Sequence, residues 1–96
     1  MPAYITLYNF TDQGIHNIKG TVDRVKAAKE AGAAAGVRII GVWWTLGPYD
    51  LVAIAEGPEE AVTRLLLGTA MQGNVRSMSM RAFSEDEMQN IVQGLP

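Results

Sequence analysis

Val37-Arg38-Ile39-Ile40-Gly41-Val42-Trp43-Trp44-Thr45-Leu46-Gly47-Pro48-Tyr49-Asp50-Leu51-Val52-Ala53-Ile54-Ala55-Glu56 is the stretch that decides the fold. Two runs rich in β-branched and aromatic residues flank Leu46-Gly47-Pro48-Tyr49, which Gly and Pro mark as a turn. The stretch therefore predicts a hairpin, with strands over 37–46 and 49–56.

Helical spacing brackets this hairpin. Upstream, Thr11 is placed to cap a short helical turn from Asp12 to about Ile18, and Gly20 interrupts it. Thr21 is placed to cap a longer helix that runs to about Ala35. Its apolar positions follow from Ile15 and Ile18 through Val22 and Val25 to Gly32 and Ala33. The run Ala31-Gly32-Ala33-Ala34-Ala35-Gly36 has little bulk, so the helix end can approach a sheet closely, and Gly36 suits a left-handed stop. Downstream, Gly57-Pro58-Glu59-Glu60 opens another helix, with Pro at the first helical position and two carboxylates at the positive end of the dipole. Its stripe is Val62, Leu65, Leu66, Thr69 and Ala70, and Gly73 ends it.

The outer segments Ala3 to Phe10 and Val75 to Phe83 read as strands, because apolar and polar residues alternate along both. Ser84-Glu85-Asp86-Glu87 is a capping box worth on the order of 1 kcal/mol. The helix it opens presents Met88, Ile91, Val92 and Leu95 on one side.

The resulting order is β-α-β-β-α-β with an extra C-terminal helix. It predicts an α+β, ferredoxin-like domain: a four-stranded antiparallel sheet of strand order 4-1-3-2, with helices on one face. Alternation places Ile5, Leu7, Ile40, Val42, Val52, Ile54, Met78 and Met80 toward the helices. It leaves Tyr4, Thr6, Tyr8, Ile39, Trp43, Leu51, Ala53, Ser77, Ser79 and Arg81 on the other face. Two tyrosines and a tryptophan there predict packing on another copy, unless the last helix folds back over them. A dimer in the manner of dimeric α/β barrels is the first expectation, and a trimer or larger ring also suits the fold.

Composition narrows the functional classes. Ninety-six residues, 48% hydrophobic and 19% charged, read as one folded domain. The net charge is −2 and the Lys and Arg residues are scattered, so nucleic acid is not an expected partner. There is no cysteine, which removes disulfides, thiolate metal sites and Cys nucleophiles and fits a reducing cytoplasm. No apolar run approaches the ~20 residues that span a bilayer.

Topology predicts where a site would lie. The ends of the first two strands and the starts of the last two share one edge of the sheet. Asn9, Asp12, His16, Trp44, Tyr49, Asp50 and Arg76 gather there and are the candidate ligand-binding residues. Tyr49 and Asp50 have the chemistry to hold a ligand or move a proton, and equally to stabilise a turn, with Asp50 accepting from backbone amides or pairing with Arg76. His16 is the only histidine. With Asp12 at i, i+4 it offers two ligands, too few for a metal site, so no metal and no cofactor are expected. Trp43 and Trp44 alternate, so one faces the helices and one faces away.

The phrases FTDQG (10–14), WTLGPYD (44–50), GNVR (73–76) and RAFSEDE (81–87) resemble those of GYD domain proteins, named for a Gly-x-Tyr-Asp motif, here Gly47, Tyr49 and Asp50. The resemblance covers nearly the whole chain. It implies a small ferredoxin-like domain akin to dimeric α/β barrels and little about activity. The expected function is a non-catalytic oligomeric module binding a small molecule or a protein. The alternative is a cofactor-independent monooxygenase or isomerase acting on an aromatic or keto substrate. A purely structural assembly unit is the third expectation.

Overall fold

The computed structural model describes residues 1–96. Its elements are β1 (Ala3–Phe10), α1 (Asp12–His16), α2 (Thr21–Ala34), β2 (Arg38–Trp44), β3 (Leu51–Glu56), α3 (Glu59–Met71), β4 (Val75–Ala82) and α4 (Glu85–Gln93). A single turn of 3-10 helix, Ile18–Gly20, links α1 to α2. The strands form one antiparallel sheet in the order β2-β3-β1-β4, the expected ferredoxin-like arrangement.

Local chemistry sets most boundaries. The Thr11 hydroxyl accepts from the Gly14 N–H and caps α1. Gly36 and Gly73 both take φ of 81°, in the left-handed region, where α2 and α3 stop. Two ends differ from the sequence expectation. Thr21 is already helical and caps nothing, because its hydroxyl instead accepts from the Trp44 indole N–H at 3.1 Å. Pro58 sits one position before the first helical residue, with ψ of 138°, and not inside the helix.

The faces of the sheet are the main correction. Thr6 lies opposite Ala53 and Ser79, and Tyr8 opposite Leu51 and Ser77. This set is turned toward α2 and α3: Thr6, Leu51 and Ala53 are buried beneath them. Ile5, Leu7, Val52, Ile54, Met78 and Met80 stand on the open face instead, the reverse of the expectation. A period of two separates a strand's residues into two sets, but in β1 and β4 the more apolar set is the one on the open face. The choice falls to the right-handed crossovers, which fix the side of the sheet on which the helices pack. In β2 a register shift between Ile39 and Gly41 adds one residue, so Ile39 and Val42 share the helix side although alternation separates them. Gly41 carries no side chain because the Trp43 ring occupies that space: a Cβ would lie 2.5 Å from it.

Buried apolar side chains are few. Val37, Leu51, Ala53 and Val62 are the buried ones, and the buried Thr6 shares a 2.9 Å hydrogen bond between its hydroxyl and Ser79 Oγ. The radius of gyration is 14.7 Å, above the roughly 12.5 Å of a compact chain of this length. α4 makes few contacts with the other elements and stands off the body. Arg81 tethers its start, stacking 4.4 Å from the Phe83 ring centroid and pairing with Glu87 at 3.1 Å.

The capping box is complete, with Ser84 and Glu87 exchanging side chain-to-backbone bonds. The bond from the Ser84 N–H, then the Arg81 guanidinium, hold the Glu87 carboxyl below its ordinary 4.5. A carboxyl depressed on folding contributes stability above its unfolded value and loses it as pH falls through the folded one. The cap on α4 is therefore expected to weaken as pH drops below 4.5. Amide chemical shifts of Ser84 and Glu87 followed against pH would report it, and a Glu87→Gln variant should lack that transition.

Candidate functional site

Three polar segments, Thr11 to Gly14, Trp44 to Asp50 and Gly73 to Arg76, meet at one sheet end through backbone and side-chain bonds. Asp50 Oδ2 accepts from the Phe10 N–H at 2.8 Å, and the Asp50 N–H donates to the Tyr8 carbonyl at 2.8 Å. The Thr45 hydroxyl donates to the Tyr49 carbonyl at 2.6 Å, and the Asn9 amide to the Pro48 carbonyl at 2.7 Å. The β2–β3 turn is thus clamped onto the end of β1. On the other side, the Thr11 N–H donates to the Asn74 carbonyl at 3.0 Å, and Gln13 Nε2 donates to the Gln72 carbonyl at 2.7 Å.

The candidate residues therefore divide into two groups. Asn9 and Asp50 hold loops together. Asp50 forms no ion pair with Arg76, although turn chemistry allowed one. Trp44 is tied to Thr21 on the helix side, while Trp43 is 52% exposed on the open face. Asp12, His16 and Arg76 are exposed, with no side-chain hydrogen bond to the rest of the chain. Tyr49 is half-buried beside the turn. No group of three His, Asp or Glu side chains is placed to hold a metal.

This division is testable. Asp50→Ala leaves the Phe10 N–H without its acceptor and is expected to cost about 2 kcal/mol of stability. Arg76→Ala is expected to stay within about 0.5 kcal/mol of the parent. Urea unfolding of the two variants would distinguish a turn-holding carboxylate from an exposed cation.

A second concavity was not legible in the sequence. The sheet floor and the facing sides of α2 and α3 enclose a cleft of about 650 Å³. Gly32 does allow close approach: a Cβ built there would lie 3.3 Å from Val37 O just before β2, 3.3 Å from Leu65 Cδ2 of α3 and 3.6 Å from Ile39 Cδ1 of β2. Along the middle and second half of α2, however, Ala27, Ala28 and Ala31 are too short to fill the space over the sheet, where Val42 and Tyr8 also line the cleft. Burial pushes the Tyr8 phenol above its ordinary 10.0, against a smaller lowering by the Thr6 hydroxyl, so it is a neutral donor at physiological pH. Arg24 reaches the Asn17 carbonyl with Nη1 at 2.7 Å, while its buried Nη2 has no acceptor. The small-residue face of α2 is the signal the sequence carries, and only part of that face serves close approach.

A four-stranded ferredoxin-like sheet with a hydrogen-bonded Gly-x-Tyr-Asp turn at one end defines a class of small α+β domains. The chain belongs to the GYD domain family, whose model matches residues 4–92. It is 34% identical over 84 residues to the glutamine synthetase and cystathionine beta-lyase binding protein of Thermus thermophilus, covering 85% of this chain and 88% of that one. Two solved structures share the fold. MtbAldR superposes with a TM-score of 0.66 at 10% identity over 88% of this chain, and the chain spans about half of its length, 54%. TTHA0845 from Thermus thermophilus superposes with a TM-score of 0.54 at 24% identity, covering 88% of this chain and 95% of that one. No helix of the chain is long and apolar enough to cross a membrane.

Proposed function

We propose that this chain is a non-catalytic protein-interaction module of the cytoplasm that assembles as a homo-oligomer through the open face of its sheet. The observation that carries the reading is that face. Ile5, Leu7, Val52 and Ile54 form its centre, flanked by Trp43, Met78 and Met80, and no other element of the chain lies across them. Soluble monomers rarely leave such a contiguous apolar surface to water. A two-fold dimer is the simplest assembly that covers a self-complementary face, and a trimer or ring covers it as well.

Two further observations support a protein partner. The Thermus relative is named for binding two enzymes. At the polar sheet end, Asn9 and Asp50 serve the loops, whereas Asp12, His16 and Arg76 project without intramolecular partners. We assign these three, beside Tyr49 and Trp44, to partner recognition.

The test is surface plasmon resonance of the host's glutamine synthetase over the immobilised chain. The expected result is saturable binding that Arg76→Ala weakens at least tenfold, about 1.4 kcal/mol, with unchanged thermal stability. Equal affinity in Asp12→Ala, His16→Ala and Arg76→Ala would remove these residues from the recognition surface. Turnover of an aromatic or keto substrate without added cofactor would replace the reading with an oxygenase or isomerase.

A further inference from the structure

The cleft between α2, α3 and the sheet borders the polar sheet end, where Phe10, Gln72 and Asn74 line it, and lies on the other side of the sheet from the open face. We propose that it is a binding site for an amphipathic organic anion, a small aromatic or branched acid whose anionic oxygen meets Arg24. Its volume of about 650 Å³ falls within the roughly 300–1,000 Å³ of small-molecule sites. Its floor and walls are largely apolar, with Val42, Ala28 and Leu65 among them.

The polar part of the lining selects charge. Arg24 and Arg64 line the cleft, and no Asp or Glu does, in a chain with more acidic residues than basic ones. Arg64 is already paired with Glu60. Arg24 is not paired with a carboxylate: Nη1 is held by the Asn17 carbonyl, which fixes the guanidinium, and the buried Nη2 has no acceptor. A buried guanidinium N–H without an acceptor is costly, and an anionic oxygen is the acceptor that relieves it best. The Tyr8 phenol on the floor supplies a neutral donor. One available guanidinium over an apolar floor suits a singly charged acid and not a polyphosphate.

The test uses the full chain and two fluorescent probes of matched shape, 8-anilinonaphthalene-1-sulfonate and uncharged N-phenyl-1-naphthylamine. Both are expected to bind saturably, one per chain. Arg24→Gln should weaken the sulfonate at least about tenfold and leave the neutral probe within about twofold. Gly68→Leu should abolish both: Gly68 lines the cleft, a Cβ there meets nothing within 4 Å, and the isobutyl group takes up cleft volume. Ile54→Glu, on the open face, should change neither. The proposal is overturned if the parent binds neither probe, if Arg24→Gln and Gly68→Leu leave sulfonate binding intact, or if Ile54→Glu alone abolishes it. Circular dichroism of each variant secures the fold, and Gly68→Leu removes a helix-interior glycine, so it is not expected to lower helix stability.

Discussion

Gly14→Ala is expected to lower stability by about 3 kcal/mol, roughly 12–24 °C in Tm for a domain of this size. Gly14 is buried in the first turn of α1, where that helix and the end of β1 meet the α3–β4 connection. A Cβ at this position would lie 2.0 Å from the Asn74 carbonyl oxygen and 2.9 Å from its carbon. Both are backbone atoms, so no side chain can rotate away. The two connections must separate, and the bonds that join them go with the shift. The Thr11 N–H is bonded to the Asn74 carbonyl at 3.0 Å, the Thr11 hydroxyl to the Gly73 carbonyl at 2.5 Å, and Gln13 Nε2 to Asn74 Oδ1 at 3.1 Å. Each such bond contributes about 1 kcal/mol net. Gly36→Ala is the control. It replaces an exposed helix stop with φ of 81°, and nothing lies within 4 Å, so only the cost of a left-handed alanine applies, about 1–2 kcal/mol. Urea unfolding of both variants decides the matter: equal losses would mean that the close approach at Gly14 does not matter.

Ile54→Glu is expected to convert the proposed oligomer into a folded monomer. Ile54 pairs with Ile5 and Gly41 across the centre of the open face. In an isolated chain a glutamate there reaches water, so the fold survives. In an oligomer closed over this face, each copy would bury an unpaired carboxylate, at a cost of at least about 3 kcal/mol, or more than a hundredfold in the dissociation constant. Light scattering coupled to size exclusion should give an integer multiple of the chain mass for the parent and the monomer mass for the variant. A parent that is monomeric at roughly 0.1 mM, corresponding to an association free energy weaker than about −5.5 kcal/mol, removes the oligomer reading.

The legible and illegible parts of this chain divide by the range of the forces involved. The Ser84 and Glu87 capping box, the Thr11 cap and the Gly36 and Gly73 stops are each decided within one turn of chain, and each forms as its local chemistry requires. The extent of β1, Ala3–Phe10, follows from its composition in the same way. The meeting of the segments 11–14, 44–50 and 73–76 was legible as well, because it follows from strand order and direction alone. Thr21 was not: its hydroxyl has a capping option and a tertiary option, and the Trp44 indole decides between them.

The sequence by itself determined the element order, the family, the ferredoxin-like topology and the end of the sheet where Asn9, Asp50 and Asn74 gather. These depend on periodicity, turn residues and caps, all of which act over a few residues. Only the tertiary structure decided which face of each strand meets the helices, the extra residue that brings Ile39 and Val42 to one side of β2, and the cleft that Arg24 overlooks. The reason is that the more apolar set of β1 and β4, Ile5 and Leu7 with Met78 and Met80, lies on the open face, while the helix side carries Thr6, Ser77 and Ser79. Side-chain pattern then loses its power to choose, and the choice passes to crossover handedness and to how closely helices bearing alanine and glycine can settle on the sheet.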